Sequence, residues 1–222
     1  MPKKAFFSLP GPKQDVFFDT ALRHFSRTPY QQASLSSLLR ELEIPKGTFY
    51  LYFHHKLDLY TYLIDTVLGM RTVYIKSRLV REPTDFFHVF ESLLRLETTF
   101  RLEHPVFNHL LSLALDSRFS PLPSEQLRQL EQERIQLFHG MLVRDQLRGK
   151  IVPEADAAMV TFLSGVLLEE FYHLVRQRMH QQKRASSEAL PVSYAEMTAQ
   201  CSRRMMTLIR RALSAKTQSN GT

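Results

Sequence analysis

Residues 34–59 read SLSSLLRELEIPKGTFYLYFHHKLDL. Ser34 is placed to cap a short helix whose apolar side is Leu35, Leu38, Leu39 and Leu42. Glu43 and Ile44 make a turn, and Pro45 opens a second short helix, where its missing N–H costs nothing. Phe49 and Phe53, four apart, give that second helix a buried stripe. Its opposite face then carries Lys46, Gly47 and Tyr50. A helix built only to fill a core has no use for that mixture. Glycine costs about 1 kcal/mol inside a helix relative to alanine. Lysine and tyrosine bring a cation and a hydroxyl suited to phosphate oxygens and base edges. Two short helices joined by a tight turn can lay the second one in the major groove of DNA. Thr48 and Tyr52 add hydroxyls, Lys56 adds a cation at the start of the next helix, and Ser34, Ser36 and Ser37 crowd the start of the preceding one.

Working outward, residues 1–12 (MPKKAFFSLPGP) read as a flexible arm broken at Pro10-Gly11-Pro12. A first helix is expected from about Lys13 to Ser26, with Val16, Phe17, Ala21, Leu22 and Phe25 on one face. After Lys56 the chain reads as amphipathic helices near Lys56–Lys76, Thr84–Leu102, Pro105–Leu115, Ser124–Leu147, Glu154–His180 and Ser193–Ala215. The fold class is therefore all-α, helped by only 7 glycines in 222 residues and by the lack of a hairpin signal.

The net charge is +7, and residues 1–60 hold 8 Lys/Arg against 5 Asp/Glu, a basic surplus that favours approach to nucleic acid. One cysteine, Cys201, excludes an intrachain disulfide and fits a reducing cytoplasm. The longest near-apolar run, Val160 to Leu168, is shorter than a membrane span.

The run Pro45-Lys46-Gly47-Thr48-Phe49-Tyr50-Leu51-Tyr52-Phe53, followed by His54-His55-Lys56-Leu57-Asp58-Leu59, resembles the DNA-binding domain of the TetR family of bacterial transcriptional regulators. The family pattern is Ser-Lys-Gly-Thr-aromatic ending in Phe-x-x-Lys-x-Asp-Leu, and the match covers about residues 13–60. The resemblance implies a helix-turn-helix domain at 13–60 and a helical effector-binding and dimerisation domain at 61–222. It implies a homodimeric repressor on a palindromic operator, released by a small, largely apolar effector. Carried over by position, the DNA-contacting residues would be Ser34, Ser36, Lys46, Gly47, Thr48, Tyr50, Tyr52 and Lys56. Three positions depart from the pattern. Glu43 stands at a turn usually held by glycine, Pro45 replaces a common serine, and Leu51 replaces a frequent second aromatic.

For the second domain, aromatic and soft residues are the pocket candidates: Phe86, Phe90, Phe107, Phe138, Met141, Phe162, Tyr172 and His173. Leu163, Leu167, Phe171 and Leu174 form one apolar stripe, and Met197, Cys201, Met205 and Leu208 another. Two such helices from each of two copies would make a four-helix dimer interface. Two other readings stay open. The regulator could answer to a protein partner or act constitutively. More remotely, Glu170-x-x-His173 and Asp85-x-x-His88 echo a di-metal carboxylate bundle, although one acid is wrong and further glutamates are lacking. No catalytic residue, cofactor or resident metal is expected.

Overall fold

The computed structural model describes residues 1–79, 85–116, 118–123, 139–185 and 193–214. Its helices are α1 (Lys4–Phe7), α2 (Gly11–Ser26), α3 (Leu35–Glu41), α4 (Lys46–Tyr52), α5 (Lys56–Arg78), α6 (Phe86–Glu103), α7 (Pro105–Leu115), α8 (139–147), α9 (Ala157–Ala185) and α10 (Tyr194–Leu213). Among the described residues there is no strand, only an isolated antiparallel bridge between Ile151 and Ser214. The chain is all-α.

It divides into two compact units. The first comprises Met1–Val73 and His104–Arg128, the second Tyr74–Glu103 and Gln129–Thr222. The sequence suggests a boundary near residue 60, whereas the compact first unit runs on through most of α5 and takes in α7. The reason is packing: Leu110, Leu111 and Ala114 of α7 are buried in the same core as Phe17, Ala21 and Leu22 of α2 and Leu59, Leu63 and Val67 of α5.

Local chemistry sets the helix ends of the first unit. Pro10 is the N-cap of α2, with Gly11 and Pro12 in its first turn, so the Pro-Gly-Pro that reads as a break is a helix start. The Ser34 hydroxyl accepts from the Ser37 N–H at 3.3 Å and caps α3. At the far end of α3 the Ile44 N–H reaches the Leu39 carbonyl at 3.1 Å, and the Glu43 N–H reaches that of Arg40 at 3.2 Å. This bond pair is the Schellman motif, which needs a left-handed residue at its pivot. That residue is Glu43, at φ 54°. The turn therefore keeps the shape a glycine would give it, and the glutamate bears a left-handed strain of about 1–2 kcal/mol.

In the second unit, α6, α9 and α10 pack on one another. Their shared core holds Phe86, Phe90, Leu94, Leu168, Phe171, Val175, Met197 and Cys201. Ser193 and Glu196 close a reciprocal capping box at the start of α10. The buried Asp145 carboxylate accepts the Phe86 N–H at 2.5 Å and so satisfies the entry of α6.

Replacing Glu43 by glycine is expected to stabilise the protein. Relief of the strain is partly offset by the greater unfolded-chain entropy of glycine, leaving a net gain of about 0.5–1 kcal/mol. Denaturant unfolding followed by circular dichroism measures it. An unchanged or lower midpoint would mean that the Glu43 side chain makes contacts worth more than the strain.

Candidate nucleic-acid interface

Seven residues make two turns of helix, so α4 depends on its surroundings for support. Phe49 and Phe53 are fully buried and stack on each other at 5.7 Å. Phe53 also stacks on Phe17 of α2 at 5.7 Å and lies 5.2 Å from Phe6 of α1. The expectation of a flexible arm at 1–12 is corrected here. Lys4–Phe7 is a helical turn whose Phe6 is fully buried, with ring contacts to Phe17, Tyr52 and Tyr62. The Lys3 N–H donates to the Tyr52 carbonyl at 2.8 Å, and the Lys3 ammonium donates to the Tyr50 carbonyl at 2.7 Å. Both carbonyls lie in the last turn of α4, where no intrahelical partner exists and a cation is favoured. The sequence signal is present in Lys3 and Phe6, but nothing local says that Lys3 will reach a helix carbonyl 47 residues later.

With Phe49 and Phe53 inward, the exposed arc of α4 consists of Lys46, Gly47, Tyr50 and Leu51. The Tyr50 ring packs edge-on against Phe49 at 5.3 Å, yet the residue stays 40% exposed. Gly47 has helical backbone and free space around it: a Cβ there would meet nothing within 4 Å. The same open space surrounds Gly11, Gly69 and Gly140, so packing within the chain leaves a side chain at residue 47 admissible. Ser34 and Ser36 are exposed at the start of α3.

Two candidates are differently employed. Tyr52 is half-buried, its ring edge-on to Phe6 and Phe17 at 6.0 and 6.2 Å. The Lys56 ammonium turns inward, donating to the carbonyls of Tyr30 at 2.8 Å and Ala33 at 3.0 Å and lying 4.0 Å over the Tyr30 ring. Burial lowers its pKa below the ordinary lysine value. Lys56 thus fastens the segment that leads into α3 and offers no free cation to a ligand. Asp58 is likewise structural: its carboxylate accepts the His54 N–H at 3.1 Å, while the His55 ring Nδ1 takes the Asp58 N–H at 3.1 Å. Thr48 is half-buried. Between α2 and α3, His24 Nδ1 meets the Glu41 carboxylate at 3.0 Å.

The pocket and dimer candidates scatter. Phe86 and Phe90 are buried and stacked on each other at 5.8 Å with Met141 in the same core, and Tyr172 is buried on α9 near Arg101. Phe107 belongs to the first unit, stacked on His104 at 5.1 Å. Phe138 lies outside the described residues. His173 is exposed, and Phe162 is 64% exposed on α9. Of the dimer candidates, Phe171, Met197 and Cys201 are buried in their own unit, and Leu167, Leu174 and Met205 pack half-buried against it. The reason is geometric, because α9 and α10 both turn one apolar stripe toward α6. Leu163 and Leu208 remain exposed, and with them Met159, Phe162 and Val166 of α9. By length and composition alone α9 passes for a membrane span over Ala157–Gln182, which the Val160 to Leu168 run by itself does not, although part of that stretch is buried in its own unit. Glu169, paired with Arg101 at 2.8 Å, interrupts it. Glu170 and His173 are both exposed on α9, and among the described residues no three metal-ligating side chains come together.

No family model matches the chain, and no curated protein matches it. Solved structures do. A TetR family transcriptional regulator from Chloroflexus aurantiacus aligns with a TM-score of 0.79 at 23% identity, over 96% of this chain and 99% of that one. A ketosteroid transcriptional regulator of Mycobacterium tuberculosis aligns at 0.61 and 12% identity, over 93% and 97%. A gamma-butyrolactone receptor aligns at 0.55 and 18% identity, over 89% and 97%. The helix-turn-helix at α3–α4 within this all-α architecture is the fold of the TetR family of transcriptional regulators.

Replacing Gly47 by alanine should separate folding from binding. The fold is expected to gain about 0.5–1 kcal/mol from helix propensity, read as a higher unfolding midpoint. DNA affinity is expected to fall about tenfold, the scale of one lost close contact. Equal affinity for both proteins would remove the case that the glycine serves a close approach.

Proposed function

We propose that the chain is a transcriptional repressor of the TetR type that binds a palindromic operator as a homodimer through α4. The contiguous exposed arc of α4, presented by fully buried Phe49 and Phe53, carries this reading. Lys46 and Tyr50 supply the cation and hydroxyl, Gly47 the room, and Ser34 and Ser36 flanking phosphate contacts. Phosphate contacts release counterions, so affinity falls steeply as salt rises. Duplexes selected from random DNA by the purified protein, followed by gel-shift titration across salt, test it. Lys46→Met is expected to weaken binding and to lower the salt slope by about 1. Lys56→Met is expected to destabilise the fold by about 2 kcal/mol through loss of two charge-assisted bonds, with the slope unchanged. A protein that selects no sequence, or binds without salt dependence, would sink the assignment.

The exposed apolar face of α9 supports the two-fold pairing proposed here. Met159, Phe162, Leu163 and Val166 recur at helical spacing, with Leu208 exposed on α10, a pattern suited to self-pairing across an axis. Phe162→Glu is expected to convert a dimer to a monomer in sedimentation or light scattering. A wild-type protein that is monomeric at micromolar concentration would overturn the pairing.

The aromatic and sulfur-rich core of the second unit, with Phe86, Phe90 and Met141, suits a small and largely apolar effector that favours the non-binding state. The structural relatives include proteins named for a ketosteroid, a largely apolar molecule, and for a gamma-butyrolactone, a small lactone. Release of the selected DNA by such compounds tests this. If none acts, control by a protein partner becomes the better account. A regulator acting on DNA in this way would work in the cytoplasm.

A further inference from the structure

We propose that Leu51 is a specificity-determining residue that reads the 5-methyl group of a thymine in the major groove. The inference rests on the proposed docking of α4 and goes beyond it by naming a base. Leu51 is 62% exposed although Phe49 of the same helix and Phe53 at its C-cap are completely enclosed. At 100° per residue, Lys46, Tyr50, Gly47 and Leu51 follow one another round the helix, so Leu51 closes the far edge of the same arc as Lys46 and Tyr50. Gly47, one turn earlier, sits beside it with no side chain and open space. A large apolar side chain therefore stands clear of its own protein on the face that meets a polyanion.

The chemistry of that side chain narrows what it can touch. Leucine has no donor or acceptor, so it gains nothing from a phosphate oxygen and would strip the phosphate of water. Of the groups that line the major groove, guanine, cytosine and adenine offer only donors and acceptors. Thymine alone presents an apolar group, its C5 methyl. Leu51 and a thymine methyl are thus the matching apolar pair. The bare strip at Gly47 lets the helix sink far enough for that contact.

The test uses the full-length protein and a duplex it selects from random DNA. Each thymine of one half-site is replaced in turn by deoxyuridine, which deletes the methyl and leaves every hydrogen-bonding group in place. For the wild type, one position per half-site is expected to lose affinity about fourfold, the equivalent of ~0.8 kcal/mol for one buried methyl. Leu51→Ala should bind the unmodified duplex more weakly by a similar factor and show no further loss at that position. Because Leu51 is exposed, the variant should unfold at the wild-type midpoint, which confirms that the reading helix is intact. Two outcomes overturn the inference: no thymine whose methyl matters, or a Leu51→Ala protein that keeps the same methyl dependence. A protein that selects no DNA brings down the proposed function and this inference with it. One that selects DNA and depends on Lys46, but ignores the methyls, loses only Leu51.

Discussion

A helix of two turns cannot hold its own shape in water. Isolated helices shorter than about 12–15 residues are marginal even with favourable sequences, and α4 has seven residues with a glycine among them. Much of the first unit supplies what α4 lacks. Phe49 and Phe53 lock it into a cluster of rings from α1, α2 and α5. Lys3 satisfies two carbonyls at its end. The Schellman turn after Leu42 fixes the direction from which it starts. Lys56 ties the lead-in to α3 from below. The result is a short helix with one face wholly given to packing, which leaves the other free of structural duty.

The parts of this arrangement that were legible in the sequence are those set by short-range periodicity. The buried pair Phe49 and Phe53, the cap at Ser34 and the exposed Lys46, Gly47 and Tyr50 all follow from a 3.6-residue repeat and capping chemistry. Contacts between distant segments were not legible. The spacing puts Lys56 at a helix start, where the sequence points to a cation for DNA. Its carbonyl partners, Tyr30 and Ala33, are 26 and 23 residues away and carry no side-chain signal. Lys3 and Phe6 looked like an arm for the same reason. A charged residue beside a binding helix is thus ambiguous in sequence, since backbone carbonyls are present everywhere and invisible in a motif.

The second unit shows the complementary problem. Periodicity located α9 and α10 and their apolar stripes, but a stripe does not say which neighbour it faces. Phe171, Met197 and Cys201 point into their own core, while Phe162 and Leu163 do not. The α6–α10 contact also contains polar pairs within its apolar surroundings. Thr99 and Thr198 share a buried hydroxyl pair at 3.1 Å, and Ser202 donates to Glu91 at 3.4 Å. Sliding by a turn would part both pairs, although the Thr198 and Ser202 hydroxyls would keep carbonyl partners within α10, at Tyr194 and Ala199.

Glu43 has a further bearing on how this protein can change. Its left-handed backbone is imposed by the hydrogen bonds on either side of it, so the turn survives whatever side chain stands there. The stability withheld by the glutamate is recoverable by one substitution, within the unit that contains α4. Natural proteins sit near a stability threshold, and destabilising changes become tolerable once a margin exists. A lineage that acquired glycine at residue 43 would hold such a margin, and could explore costlier side chains on the exposed arc of α4 before the domain failed to fold.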